Sequence, residues 1–400
     1  MNDSYDVIVV GAGPGGLASA KSCAEHDLKT LLVEEHSVIG EPVQCGETFH
    51  VSMLKKLSLE DIPFNEPKNA RIYSPDKNMI EIVLQDGVSS PLVIVERKML
   101  EKRLAVKVAN LGVDIFTKTP AIDVIKENGF VKGVKVLHFG EEKDIHSKVV
   151  IDATGPNAFV ARKAGLNVYR NIESFVSCAQ FQMANIDIDD KTAEIYLGGV
   201  APGGYIWILP KGKGFANVGI GVSGNIGNEA LNYLEEFVEN EHRLKDGSII
   251  ETNVGIVPVG GEAEKLVSNG LILVGDAGRM VNPATGGGMI FAIKAGLAAG
   301  KVIADAVKNN DFSEKKLSEY EKIWRNDIGK RFKTFNALKN VFLSLSDKEI
   351  DDIVEAVGKI RIDKDMAEPW YPMLKKIVSI IVKKPRLALK FGKVLPYFVG

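Results

Sequence analysis

Cysteine is scarce. The 400-residue chain has three, Cys23, Cys45 and Cys178. An odd number at wide spacing makes no disulfide framework and points to a reducing compartment, the cytosol. Three thiols also cannot supply the four ligands of an iron–sulfur cluster held by this chain alone. Long apolar runs are missing too: nothing approaches the roughly 18 residues of a spanning helix. The N-terminal run VIVV has no basic flank and is too short for a secretory signal, so a cytoplasmic protein is expected. Neither sign of charge dominates, and a net charge of -2 argues against nucleic acid as a general partner. Repeats and low-complexity segments are not evident. What remains, 45% apolar and 26% charged residues, is the composition of an ordinary soluble chain long enough for two or three domains.

YDVIVVGAGPGGLASAKSCAEHDLKTLLVEE, residues 5–35, spells strand, glycine turn, helix and second strand. Gly11 permits the tight turn, Gly13 lets backbone approach a pyrophosphate, and Gly16 lets the helix pack close to the sheet. Gly15 lies in the same turn. The helix N-terminus then offers free N–H groups and the positive end of its dipole to phosphates. Glu34 ends the second strand at the distance expected for a ribose-binding acid. A second glycine match, GIGVSG at 219–224, fails the same standard. Asn225, Gly227 and Asn228 delay any helix, so these glycines are expected in an antiparallel strand. No separate NAD(P)H domain is indicated.

Two later stretches end apolar strands at small-residue turns, as a parallel sheet does at its ligand edge. KVVIDATGPNAFVARKAG, 148–165, has Asp152, Thr154 and Gly155 in the turn. LILVGDAGRMVNPATGGGMIFAIKAG, 271–296, ends its strand at Gly275–Asp276, and Gly287, Gly288 and Met289 open the next helix. Asp276 can accept from a ribityl hydroxyl, and the first amides of that helix can face an electron-rich ring edge.

Together the three stretches resemble FAD-dependent oxidoreductases with the p-hydroxybenzoate-hydroxylase-like fold. The resemblance implies FAD as cofactor. It implies an α/β fold: a Rossmann-like FAD-binding domain, an inserted antiparallel β-sheet substrate domain and a helical C-terminal region. Arg97, in VIVERKMLEKRLA, matches the family arginine that touches cofactor; on its own it also reads as a surface helix-start arginine. Ala121, in TPAIDVI, falls where the family lends backbone to the adenine. The expected FAD-binding domain is discontinuous, over 1–65, 95–175 and 265–312. Segments 66–94 and 176–264 read as short alternating strands, with ALNYLEEFVEN a helix, and 313–400 as largely helical.

APGGYIWILPKG, 201–212, is the most distinctive run. Strand alternation puts Tyr205 and Trp207 on one face and Ile206 on the other. On the residues alone, a core strand with packed aromatics is the plainer reading. PGGYIWILP is, however, similar to the P-x-x-Y-x-W-x-F-P motif of the geranylgeranyl reductase family, with Leu209 in place of the family's usual phenylalanine. PVQCGE and VNPATGGG match that family's cysteine segment and flavin loop. The similarity looks closest to the archaeal digeranylgeranylglycerophospholipid reductases. It implies an isoprenoid ether-lipid substrate whose double bonds become saturated. It places Cys45 and Gly46 beside the flavin, and Cys45, Tyr205 and Trp207 become the candidate catalytic residues. Cys45 alternatively is a small residue that fits its loop.

In that reading, reduced FAD gives hydride to one alkene carbon while Cys45 or Tyr205 supplies a proton to the other, and Trp207 shapes the slot. The electron donor is external, with ferredoxin, F420 and NAD(P)H as the open classes. Segment 373–400 carries Lys375, Lys376, Lys383, Lys384, Arg386, Lys390 and Lys393 with no acid. This suggests peripheral contact with the inner face of the cell membrane, the other reading being a surface helix with one core face. The alternatives in function are a flavin monooxygenase of the same fold, a membrane electron-transfer flavoprotein, and a lipid-binding protein that keeps flavin as a structural element.

Overall fold

A computed structural model describes residues 2–168, 172–363 and 385–392. The chain forms two compact units. The first is Met1–Val43, Arg97–Asn171 and Val257–Lys333; the second is Gln44–Glu96, Ile172–Ile256 and Thr334–Gly400.

The first unit is built on the strand Ser4–Val10, whose Val7, Ile8 and Val9 are fully buried. A β-branched run buried on both faces suits the centre of a parallel sheet. Thr30–Val33 and Glu141–Asp152 flank it, both parallel. Asp114–Phe116 extends one side and Leu271–Leu273 the other, again parallel. Ala121–Glu127 and Phe130–His138 form an antiparallel meander with Glu141–Asp152.

The helices Pro14–Ala24 and Met289–Asn309 pack against each other through small residues. A Cβ on Gly296 would lie 2.5 Å from the Gly15 carbonyl oxygen and 2.8 Å from the Ser19 nitrogen. One on Gly300 would collide with the Ser22 side chain. The two backbones therefore touch directly, and Ser22 Oγ donates across to the Leu297 carbonyl at 2.9 Å.

The second unit is an eight-stranded sheet in the order Ser248–Pro258, Phe175–Ala184, Phe215–Ser223, Tyr205–Gly212, Thr192–Tyr196, Asn69–Tyr73, Met79–Leu84, Lys359–Ile362. One face carries Phe181, Ile206, Ile208, Val218, Ile220 and Val222, buried with Leu234 and Val238 of the helix Ala230–Asn240. A smaller sheet joins Thr48–His50, Leu92–Val95 and Phe64–Asn65. Near the C-terminus, Ile350, Val354 and Val357 of the helix Asp347–Val357 cluster with Ile80, Ile360 and Leu387.

Gly219 and Gly221 of GIGVSG lie in the strand Phe215–Ser223, in keeping with their reading as strand glycines, while Gly224 begins the turn of 3-10 helix that follows. The division by compactness runs differently from the one read in the sequence. Residues 44–65 cluster with the second unit, because the chain after Val43 packs its turn, strand and short helix there. Of the described C-terminal residues, those through Lys333 cluster with the first unit and those from Thr334 with the second. It also contains a strand, Lys359–Ile362, which pairs in parallel with Met79–Leu84.

Gly300→Ala tests the helix contact by the sign of its effect. Alanine normally stabilises a helix interior by about 1 kcal/mol over glycine. Here the collision with Ser22 is expected to reverse that and lower stability by about 1–3 kcal/mol in chemical denaturation. A stabilised variant would show that the helices do not pack this closely.

Candidate functional site

In the first unit the register brings the carboxyl ends of the parallel strands level. Val10 lies beside Val33 and Asp152, and Asp152 beside Leu273. Gly11 follows Val10 at φ +100°, a conformation that favours glycine. A Cβ there would run into the Ala153 carbonyl, and one on Gly16 into the Gly11 carbonyl. At Gly15 it would press on Val274 at 2.9 Å. Gly13 is different: the nearest atom to its Cβ position is Arg97 Nη2 at 4.0 Å. Room thus remains in front of the helix Pro14–Ala24, whose start has no side-chain cap. Uncapped amides at the positive end of a helix dipole suit a phosphate.

Glu34, nearly buried, accepts from the Ala12 N–H at 2.7 Å through Oε2. Its Oε1 accepts from the His36 N–H at 3.0 Å and lies 2.6 Å from His36 Nδ1. Each oxygen takes two bonds, so Oε2 keeps capacity for a hydroxyl. Thr119 donates its N–H to the Glu34 carbonyl at 2.7 Å, which brings the stretch leading to Ala121 beside this acid. Arg97 opens the helix Arg97–Asn110 and donates from Nε to Glu101 at 2.5 Å.

Asp276 stands in the turn Gly275–Gly278. Its carboxyl accepts no hydrogen bond from the described residues. Burial pushes its pKa up to about 6, partly offset by the Arg97 charge. A half-buried acid without donors among the described residues fits a hydroxyl-bearing ligand. The Gly288 Cβ position lies 3.3 Å from Asp276 Oδ1, and Gly287 meets only Thr285 at 3.4 Å. Met289 then starts a second helix without a side-chain cap. Asp152, by contrast, is used internally. It accepts from Thr154 N and Oγ1 and from the Ala161 N–H at 2.7 Å, fixing its own turn. This edge, with two uncapped helix starts and two carboxylates, can hold a dinucleotide; its residues fit the FAD implied by the sequence.

Cys45, Gly46, Tyr205 and Trp207 belong to the second unit. Tyr205 and Trp207 sit on the sheet face opposite the apolar core, alternating with buried Ile206 and Ile208. Their rings meet edge-to-face at 5.8 Å. Trp207 pairs with Gly219 and Tyr205 with Gly221. A Cβ on Gly219 would strike the indole, so the strand glycines are the floor on which it lies. Trp207 Nε1 donates to Gln180 Oε1 at 2.9 Å, and Gln180 Nε2 donates to the Cys45 carbonyl at 3.0 Å. The turn 45–47 is thereby tied to the aromatic face. The Gly46 Cβ position is 3.3 Å from Leu209 and 3.6 Å from Trp207 Nε1.

Beneath the turn lies a polar set that sequence reasoning missed. Glu47 is fully buried and accepts from Lys211 Nζ at 2.6 Å and Asn217 Nδ2 at 2.7 Å. Lys211 also pairs with Glu96. The available signal was the glutamate of PVQCGE itself; its partners are more than 160 residues away in sequence. Cys178 and Tyr205, on the same face, are poor acids. Burial pushes the Cys178 thiol up to about 12, with the Cys45 charge adding to it, and burial raises the Tyr205 phenol as well.

Of the basic tail, only Arg386 and Lys390 are described. Arg386 is exposed, while Lys390 donates to Glu349 at 2.6 Å and to the Ser344 carbonyl at 2.8 Å. The others lie outside the described residues. Among described residues no helix is long and apolar enough to cross a membrane.

Asp276 generates a pH test. Its folded pKa lies above its unfolded value, so the folded ligand-free chain holds the proton more tightly. Stability should fall as pH rises from about 4 to 6. Relative to Asp276→Asn, the wild type should lose at most about 3 kcal/mol between pH 4 and pH 7 in urea titrations. An identical gap at both pH values would show that the carboxyl is not desolvated.

The family profile of the geranylgeranyl reductase catalytic domain matches residues 174–257. Those of pyridine nucleotide-disulphide oxidoreductase and squalene epoxidase match 5–206 and 258–351. A digeranylgeranylglycerophospholipid reductase of Methanothrix thermoacetophila is 40% identical over 366 residues, covering 90% of this chain and 93% of its own. One of Methanocaldococcus jannaschii is 40% identical over 402 residues, covering 98% of each chain. The crystal structure of a geranylgeranyl bacteriochlorophyll reductase-like protein from Thermoplasma acidophilum superposes with a TM-score of 0.90 at 36% identity, covering 98% of this chain and 99% of its own. A flavin-dependent brominase, at 22% identity and a TM-score of 0.70, covers 85% of this chain and 87% of its own and shares the fold. Identity this high along nearly the whole length places this chain in the digeranylgeranylglycerophospholipid reductase family.

Proposed function

We propose that this chain saturates the prenyl C=C bonds of geranylgeranyl ether lipids of the digeranylgeranylglycerophospholipid class. It is an oxidoreductase with FAD as cofactor. FAD supplies two-electron hydride chemistry when bound. The chain's own part begins with holding it. Gly11, Gly13, Gly15 and Gly16 would admit the pyrophosphate to the first helix start, and Glu34 would accept a ribose hydroxyl, with Ala121 near the adenine. Asp276 would take a ribityl hydroxyl, with Arg97, Gly287, Gly288 and Met289 around the flavin half.

One observation carries the reading of the substrate side. A thiol-bearing turn is pinned to an aromatic strand through Trp207, Gln180 and the Cys45 carbonyl. An isolated alkene has no carbonyl oxygen to stabilise, so an oxyanion hole is irrelevant. It needs an apolar wall, fixed orientation and one proton source. Trp207 and Tyr205 supply the wall. Tyr205 and Cys178 hold their protons too tightly to give them up readily near neutral pH. Cys45 is therefore the proton carrier of this set, and Tyr205 orients substrate.

Prenyl chains gain roughly 0.8 kcal/mol per buried methylene, part of it offset by extraction from the bilayer. Peripheral membrane contact through the basic C-terminal segment would shorten that extraction. Electrons come from an external donor, ferredoxin, F420 or NAD(P)H, since the strand glycines of GIGVSG open no second dinucleotide unit.

Reduction of the purified flavoprotein with dithionite, then addition of an unsaturated prenyl glyceryl lipid, should give products heavier in steps of two hydrogens. In that assay Tyr205→Phe should keep turnover within about twofold, while Cys45→Ala should lower it by about 10²–10⁴. A hydroxylated product formed only with oxygen would favour the monooxygenase reading. A chain lacking residues 373–400 should float with anionic liposomes less than the full chain. Equal flotation would remove that segment from membrane contact.

A further inference from the structure

The polar set under the turn 45–47 is buried: Glu47 is fully enclosed and Lys211 nearly so. A charged pair sealed in protein seldom adds stability over well-packed apolar side chains of the same volume. Its geometry suggests another purpose. Three successive carbonyls of the turn are each held by a donor. Gln180 Nε2 donates to the Cys45 carbonyl at 3.0 Å, and Asn217 Nδ2 to the Gly46 carbonyl at 3.3 Å. The Val95 N–H donates to the Glu47 carbonyl at 3.0 Å.

Glu47 itself adopts φ +66°, the left-handed region that non-glycine residues seldom occupy. Its carboxylate is clamped there by Lys211 and Asn217, with Gln182 Nε2 at 3.4 Å. The product of this conformation is a single bond: the Glu47 N–H donates to Cys45 Sγ at 3.2 Å.

We infer that Glu47, anchored by Asn217 and Lys211, and Gln180 are positioning residues that aim a backbone N–H at the Cys45 sulfur and so make the thiol a stronger acid. A hydrogen bond donated to sulfur favours the thiolate over the thiol. Bonding one side of the sulfur also fixes the direction in which S–H can point. The role of that acid rests on the reading of Cys45 as proton carrier; the ionisation itself does not.

Charged and titratable groups of the described residues also face this turn. The Glu47 carboxylate is countered by Lys211, which Glu96 shares. From the neighbouring strands come Cys178 and Tyr205, both neutral near pH 7. The amide bond itself favours the thiolate. This explains how a cysteine with no histidine or free cation beside it in sequence can serve as an acid.

The test reads the thiol rather than turnover, using full-length holoenzyme. The rate of Cys45 alkylation by iodoacetamide is followed against pH, with the modified residue identified by peptide mass. Cys23 and Cys178 are both pushed up to about 12 by burial and stay silent. In the wild type the midpoint should lie below the ordinary thiol value of about 8.5. Asn217→Ala and Gln180→Leu change no charge, so neither alters the field at sulfur directly. Each should raise the midpoint by about one unit, a tenfold slower reaction at pH 6.5. With prenyl substrate, each should lower kcat about tenfold with KM little changed. A wild-type midpoint at or above 8.5 overturns the inference without any variant. So do variants that melt like wild type, retain its alkylation profile and lose only activity. A lowered midpoint in a chain that reduces no prenyl lipid would leave the positioning intact and sink the reductase reading alone.

Discussion

Backbone must touch backbone, or lie directly under a ring, at several points of this protein, and a Cβ at those points would separate them. In the first unit the Gly11 turn rests on the Ala153 carbonyl, and two helices meet through Gly296 and Gly300. In the second, the Trp207 indole lies on Gly219. Each contact replaces a side-chain layer with direct van der Waals approach. The first leaves open space before a helix start; the last leaves an aromatic plane flat on its sheet. Both are surfaces a planar or polyanionic ligand can meet.

Polar groups are buried in two distinct ways. In one cluster of the second unit, Arg243 donates twice to buried Glu194, at 2.9 and 3.0 Å, while the Tyr196 hydroxyl donates to the same carboxylate at 2.6 Å. Tyr196 stacks on Tyr73 at 4.7 Å across the pair of strands that bear them. Every donor there serves the sheet. The Glu47 cluster is similarly saturated, yet its bonds run to the backbone of a turn that ends in a thiol. The same physics, a desolvated charge that must be matched, ties strands together in one place and holds a cysteine-bearing turn in the other.

Ionisation separates the remaining candidates by role. Desolvation acts on Asp276, Cys178 and Tyr205 alike, raising all three. For the aspartate this means a carboxyl that holds its proton above the usual range. For the thiol and phenol it means a proton held firmly near neutrality. Cys45 differs because an amide points at its sulfur, and its neighbours were chosen by the fold rather than by the chain order.

The nucleotide half was legible because its determinants are local. A glycine turn needs three glycines within six residues, and the acid that follows is set by the length of one helix and one strand. Glu34, Asp276 and the helix starts could therefore be named from spacing. Strand alternation likewise put Tyr205 and Trp207 on one face, and Asn225, Gly227 and Asn228, which delay an α-helix to Ala230, marked Gly219 and Gly221 as strand glycines. Tertiary structure alone decided what surrounds Cys45. Gln180, Lys211 and Asn217 come from three strands, and only antiparallel register sets Gln182 beside Asn217. It also decided that the chain leaves the first unit near residue 43 and that Lys359–Ile362 is a strand. Register depends on which long-range pairs form in three dimensions, and a linear pattern records alternation without recording the partner.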